Sequence, residues 1–308
     1  MEQIGLLHDG QIYDLQTAEA LNIKGDIIKA DDSKESLEIL RHSCAHMMAQ
    51  AIKELYPEAK FFVGPVVKEG FYYDFKVESK ISDEDLPTIE KKMKEIADRK
   101  LPITRHETTK EEFYEKFKND ELKQAVLKNI KDDTLTIYKQ GDFEDLCRGP
   151  HLPNTRMIRS FKLTRVAGAY LGGDEKNEMI TRIYGIAFFD KQALFDYTKM
   201  IEEAKKRDHR KLGTELELFT FNDDVGAGLP MWLPNGARLR SKLEHLLYKA
   251  HRVRGYEPVR GPEILKSEMW KISGHYANYK ENMYFTTIDD QEYGIKPMNC
   301  VGHIQIFK

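Results

Sequence analysis

Two short clusters of chemically similar residues lie far apart in the chain, in backbone of opposite kinds. His42-Ser43-Cys44-Ala45-His46 falls inside a helical pattern, because Leu37, Leu40, Met47, Met48, Ala51, Ile52 and Leu55 recur at helical spacings. Tyr56-Pro57 ends that run, since a residue before proline avoids the helical region. His42 and His46 are therefore one turn apart on one helix face. Cys147-Arg148-Gly149-Pro150-His151 cannot be helical, because its central Gly-Pro forces a turn. A fold that seats such a turn against such a helix face gathers imidazoles and thiols in one pocket, able to bind a metal or to do acid–base chemistry. Asp145, two residues before Cys147, shares a strand face with it. The combined set is either a four-ligand zinc site or a metal-free hydrolytic pocket. The bland alternative is a pair of core histidines and an ordinary β-turn. A helical H-x3-H pair is also the zincin geometry, but that motif needs Glu directly after the first His, and Ser43 stands there. A metalloprotease is thereby excluded.

The chain of 308 residues is long enough for two domains or one large one. Its 41% apolar content suffices for packed cores and excludes a disordered protein. A net charge of -3 exerts no global pull on nucleic acid, so any such contact needs a local patch. One candidate is Lys205, Lys206, Arg207, His209, Arg210 and Lys211, which also suits a helix end favoured by the helix dipole. The cysteines Cys44, Cys147 and Cys300 are too few and too scattered for a disulfide scaffold and point to a reducing cytoplasm. The N-terminus carries no secretory h-region, and no apolar run reaches the length of a membrane span.

Alternation after Asp9-Gly10 predicts a strand over residues 11–15, and Asp31-Asp32-Ser33 supplies caps for the helix that follows. Aromatic and β-branched runs predict strands within residues 61–67 and 70–75, and again at 134–138, 161–163 and 180–185. Helices are expected over residues 83–100 and about 108–118, the second with Thr108 and Thr109 ahead of Glu111 and Glu112 as a capping signal. One long helix is expected over residues 191–211, then a Gly- and Pro-rich stretch to Asn235, then a strong helix over residues 238–254. Strands and helices mix without strict βαβ alternation, which predicts the α+β class. Cys300, read by itself, is a small buried hydrophobe, and His303 is too near in sequence to complete a metal site with it.

Taken together, these strings resemble a known family. Arg41 to His46, Gly64-Pro65-Val66, Gly70-Phe71-Tyr72-Tyr73-Asp74, Cys147 to His151 and Arg182-Ile183-Tyr184-Gly185 resemble the editing domain of bacterial-type threonyl-tRNA synthetases. Lys205 to Gly213 resembles the passage into their catalytic domain. Gly255-Tyr256 to Pro262 resembles motif 1 of class II synthetases, and Lys296-Pro297-Met298-Asn299-Cys300 the segment bearing their first zinc ligand. The resemblance runs in order along almost the whole chain. It implies a reduced β-grasp-like leader over residues 1–32 and a two-part editing domain of mixed sheets and helices over 33–213. The beginning of a class II antiparallel-sheet catalytic domain, truncated, would occupy 214–308. Motifs 2 and 3, the two histidines that complete the zinc site and the anticodon-binding domain are not matched, and residue 301 is Val where many members have Pro.

The resemblance implies a cytoplasmic, homodimeric ligase that attaches threonine to tRNA(Thr) using ATP with Mg2+. Zn2+ is implied in the full-length protein, with Cys300 as one ligand, and so is hydrolytic editing of Ser-tRNA(Thr). This chain would retain the editing half and no ligation. The need for editing is physical. Threonine and serine differ by one methyl, which is worth about 1–3 kcal/mol, or about 10–200-fold, in a binding pocket. By resemblance, His42, His46, Cys147 and His151 surround the misacylated tRNA end, with Tyr73, Lys123 and Asp145 beside them. Lys123 would hold the terminal ribose–phosphate or the oxyanion, and Asp145 the serine ammonium or a histidine. The expected site is metal-free, with His42 or another pocket histidine positioning water. Its alternatives are a zinc-dependent deacylase, since related editing domains of alanyl type use similar clusters as ligands, and a non-catalytic module that binds the tRNA acceptor stem. A free-standing editing factor would lack residues 215–308.

Overall fold

The computed structural model describes residues 2–128 and 130–308. The chain divides into two compact units, one reaching to Lys205 and the other spanning Lys206–Lys308. Every strand pair among the described residues is antiparallel, so the class is α+β, as expected.

The first unit opens with β1 (Gln3–His8), β2 (Gln11–Asp14), α1 (Leu15–Ala20) and β3 (Asp26–Lys29). Asp9 and Gly10 both have positive φ, 49° and 76°, the pair of left-handed residues that a two-residue hairpin needs. β1 lies between β2 and β3. Residues 2–32, within the stretch expected as a leader, therefore form a small sheet with its own helix. Next come α2 (Lys34–Leu55), β4 (Lys60–Phe61), β5 (Val66–Val67), β6 (Gly70–Lys76) and α3 (Leu86–Arg99). A second layer follows: β7 (Ile103–Thr109), α4 (Lys110–Lys116), α5 (Glu121–Lys128), β8 (Thr134–Gln140) and β9 (Phe143–Leu146). The long hairpin β10 (Ser160–Tyr170) and β11 (Met179–Phe188), then α6 (Lys191–Lys206), complete the unit.

α2 is the axis of this unit. From Ile39 to Ile52 every residue is buried except His42, which is half-buried. Such a helix cannot be amphipathic in the ordinary sense and must be covered all round. It packs on β6 and β11 on one side and on α3 on another. Its small residues Ser43, Ala45, Ala49 and Ala51 permit that close approach. The covering sheet runs β10-β11-β6-β4, with β5 also paired to β6. Alternation along β6 sends Phe71, Tyr73 and Phe75 into the core with α2. A separate three-stranded sheet, β7-β8-β9, carries the turn that begins at Cys147.

The second unit contains α7 (His209–Glu215), β12 (Phe219–Thr220), β13 (Met231–Trp232), α8 (Pro234–Arg252), β14 (Ile264–Lys266) and α9 (Ser267–Ile272). It continues with α10 (His275–Tyr279), β15 (Phe285–Ile288), β16 (Gln291–Ile295) and α11 (Cys300–Phe307). A sheet ordered β14-β16-β15 packs against α9, whose Trp270 is fully buried.

Several expectations change here. The single helix expected over residues 191–211 breaks between α6 and α7, because Asp208 caps the second piece and accepts the Arg210 amide at 2.8 Å. The strand β7 was not anticipated, since its sequence Ile-Thr-Arg-His-Glu-Thr-Thr is polar on both faces. Nor was α5. The Thr109–Glu112 capping box does open α4, which is shorter than expected.

Gly70 marks how tightly the covering sheet closes. A Cβ there would stand 2.2 Å from the Gly185 carbonyl oxygen of β11, which is backbone and has nowhere to go. Gly70→Ala is expected to destabilise the first unit by about 1–3 kcal/mol, through overpacking. Urea unfolding followed by tyrosine fluorescence reads this; an unchanged midpoint would contradict the packing described.

Candidate active site

The turn after β9 meets α2 at its half-buried histidine. Cys147 Sγ lies 3.2 Å from His42 Nε2 and 3.2 Å from His151 Nε2. The His151 ring stacks 4.4 Å from His42 and sits 4.3 Å from His46. The donor atoms of His42, His46, Cys147 and His151 all lie within 4.8 Å of one another. Two histidines one helical turn apart supply one wall. The turn supplies the other, shaped by Gly149 at φ 80° and by a cis Gly149–Pro150 peptide.

Ser43 sets the orientation of His151. Its hydroxyl donates to the Ile39 carbonyl at 2.9 Å and accepts the Leu152 amide at 2.8 Å. With its single proton committed to Ile39, Ser43 Oγ meets His151 Nδ1, 3.2 Å away, as an acceptor. That assigns the proton to Nδ1 and leaves the Nε2 lone pair facing Cys147. In the sequence Ser43 drew notice only because it is not Glu. The signal that could have found it is a hydroxyl residue on a helix face otherwise apolar.

Burial makes this a neutral site. Desolvation pushes His42 down to about 4 and His46 to about 3. His151 falls well below the ordinary imidazole range for the same reason, with its two histidine neighbours adding to the effect. Burial likewise pushes the Cys147 thiol up, so near neutral pH it is a thiol and not a thiolate. Neutral imidazoles are the state that a general base or a metal ligand requires.

A second buried group adjoins the first. Asp145 accepts hydrogen bonds from the Tyr73 hydroxyl, the Lys123 ammonium and the Leu146 amide. Tyr73 connects the two groups, its ring 6.2 Å from that of His46. Among the described residues no hydrogen bond joins Asp145 to a histidine; Ser43 does that work for His151. Lys123 and Asp145 form part of the lining of a cleft of about 480 Å³ together with Gln50, Phe61 and Phe143. The structure therefore brings seven of the residues singled out from the sequence into two touching groups. Cys300 lies in the second unit, with Sγ 3.3 Å from His275 Nε2, whose Nδ1 meets Ser273 Oγ at 2.8 Å.

A metal fits the first group by its donor chemistry. Three imidazoles and a thiol at this separation match the tetrahedral N/S set of zinc sites, and Ser43 supplies the outer hydrogen bond that ligating histidines need.

Known proteins resemble this chain in sequence. A family profile described as "Threonyl and Alanyl tRNA synthetase second additional domain" matches residues 135–184, which include Cys147 and His151. The threonine–tRNA ligase of Campylobacter jejuni subsp. jejuni serotype O:6 (strain 81116 / NCTC 11828) is 70% identical over 307 residues, covering 100% of this chain and 51% of that protein. That of Helicobacter hepaticus (strain ATCC 51449 / 3B1) is 67% identical over 307 residues, covering 100% and 51%. A solved structure of the RNA binding domain of threonyl-tRNA synthetase from Cryptosporidium parvum Iowa II is 46% identical, covers 33% of this chain and 25% of its own, and has a TM-score of 0.32. The chain spans about half the length of the curated relatives it matches, at 51%, and by sequence it belongs to the threonyl-tRNA synthetase family.

Proposed function

We propose that the first unit hydrolyses serine mistakenly esterified to tRNA(Thr), as the editing part of an enzyme that joins threonine to that tRNA with ATP and Mg2+. One observation carries this reading: His42, His46, Cys147 and His151 converge, neutral, around one point that is half open through His42 and Cys147. Ester hydrolysis needs a base, a water and stabilisation of an oxyanion. His42, the least buried of the three histidines, takes a proton from water as its oxygen bonds to the ester carbonyl carbon. The proton then passes to the ribose oxygen as the ester C–O bond breaks, releasing serine and the free tRNA end. Cys147 does not act as the nucleophile, because burial holds it as a thiol; it donates a hydrogen bond instead. Lys123, paired with Asp145 beside the cleft, contributes positive charge for the oxyanion or a terminal phosphate.

The donor geometry also favours a second reading, in which His42, His46, Cys147 and His151 hold zinc. Bound zinc would acidify a water and polarise the ester carbonyl. For the complete enzyme we propose zinc at Cys300 in the second unit, a homodimer and a cytoplasmic location. Among the described residues no helix is long and apolar enough to cross a membrane.

Serine-charged tRNA(Thr) is expected to be deacylated by this chain, and His42→Ala should slow the single-turnover rate by about 10²–10⁴-fold. Release no faster than in buffer, with tRNA still bound, would instead make the unit a binding module. Metal analysis separates the two hydrolytic readings: about one zinc per chain, lost in His42→Ala and Cys147→Ala, would establish the metal site and end the metal-free one. The buried histidines also carry an acid signature. Their folded values lie near 4 and 3, below the ordinary value of about 6.5, so below that pH the unfolded chain binds more protons. Stability is therefore expected to fall between about pH 6.5 and pH 4, by up to about 1.4 kcal/mol per pH unit for each histidine. His46→Gln should flatten that slope in urea titrations at stepped pH; an unchanged slope would contradict the neutral site.

A further inference from the structure

We infer that Asp14, the last residue of β2 and the N-cap of α1, is a positioning residue of the hydrolytic site. Through it the small N-terminal sheet becomes part of that site. The inference rests on reading the histidine–cysteine cluster as hydrolytic.

Asp14 is only 2% exposed, and both its oxygens are used. Oδ1 accepts the Thr17 amide at 2.7 Å, an ordinary helix cap. Oδ2 turns the other way. It accepts the Tyr138 hydroxyl at 2.6 Å and the His151 backbone amide at 3.0 Å, both bonds buried. Tyr138 in turn lays its ring 4.4 Å from that of His151 and meets Thr17 Oγ1 at 3.0 Å. A Cβ on Gly149 would stand 2.8 Å from Asp14 Oδ2 and 2.6 Å from the Tyr138 hydroxyl, so the turn that presents Cys147 and His151 is pressed against this carboxylate.

His151 is thus held from two directions. Ser43 on α2 holds the ring at Nδ1, and Asp14 holds the backbone that carries the ring. Capping α1 would need one oxygen only, and Ser or Asn caps a helix about as well as Asp does. The second oxygen, with two charge-assisted bonds to the turn and to the tyrosine beside it, has no part in the cap. The N-terminal sheet is itself anchored nearby. Gln16 Nε2 donates to the Ile103 carbonyl at 2.6 Å, and Gln16 Oε1 accepts the Arg105 amide at 2.7 Å. Asp14 is therefore fixed relative to the layer that bears the turn. These contacts tie the N-terminal sheet to His151.

Two substitutions separate the cap from the bridge. Asp14→Ser keeps a capping hydroxyl but is too short to reach His151. It is expected to melt a few degrees lower, because the His151 amide and the Tyr138 hydroxyl lose a buried acceptor, while at a temperature where both proteins are fully folded the single-turnover rate of seryl-tRNA(Thr) deacylation falls about 10–100-fold, the size of effect that misplacing a reacting group produces. The concentration of half-saturation should stay within about threefold, since no substrate contact is lost. Asp14→Asn presents one amide oxygen to the His151 amide and the Tyr138 hydroxyl, and is expected to recover part of that rate. Hydrogen exchange of the His151 amide gives a readout independent of activity: protection should drop in Asp14→Ser and persist in Asp14→Asn. A serine variant with the parent rate, a rate loss that merely tracks the melting temperature, or unchanged His151 exchange would overturn the inference. If the parent chain does not cleave seryl-tRNA(Thr), the hydrolytic reading fails, while the exchange measurement still decides whether Asp14 holds the turn.

Discussion

Burial of α2 on nearly every side governs the first unit. Residues Ile39 to Ile52 lie beneath the β6–β11 sheet and against α3, which removes a large apolar area from water and orders the layers around one axis. The same burial carries two imidazoles and a hydroxyl into that core. A polar group taken from water must find partners there, or its cost is several times the gain from a typical hydrogen bond. Ser43 and the turn after β9 supply those partners. Packing and site are therefore one arrangement: the helix cannot be covered without the turn coming to His42, and the turn is held by groups on the helix and on the N-terminal sheet.

The electrostatics follow from that arrangement. Desolvation keeps three histidines uncharged and the cysteine protonated, so the cluster works by lone pairs and not by fixed charge. Charge sits one layer away, in the Lys123–Asp145 pair, whose side chains are 4% and 2% exposed. A buried ion pair is weak support for stability, since desolvating both ions offsets most of their attraction. Its partners Tyr73 and the Leu146 amide satisfy further acceptor positions of Asp145, which makes the pair a rigid neighbour for the histidines.

Legibility in the sequence divides along physical lines. α2 was readable because its apolar residues repeat with helical period and Tyr56-Pro57 stops them. The turn at Gly149-Pro150 was readable because both residues restrict the backbone locally. β6 and β11 were readable from their aromatic and β-branched runs. β7 was not, because Arg105, His106 and Glu107 break the alternation that marks a strand, and pairing with β8 supplies its stability. The break at Asp208 was missed because helical periodicity continues across it while a cap interrupts it. In the site, His42, His46, Asp145, Cys147 and His151 stood out by residue type and spacing, whereas Tyr73 and Lys123 came from family resemblance. Asp14, Tyr138 and Ser43 were invisible as site residues. Nothing local distinguishes a capping aspartate, a strand tyrosine or a helical serine from its many ordinary counterparts.

By itself, then, the sequence determined the elements that local backbone chemistry controls and the residue types able to act on an ester or a metal. Tertiary structure decided which of these meet, which imidazole nitrogen carries the proton, and that the histidines are neutral. Those outcomes depend on burial and on hydrogen bonds between residues as far apart as Asp14 and His151, 137 positions along the chain. Periodicity and composition carry no information about pairings at that distance, because they arise only when separate surfaces are brought together in three dimensions.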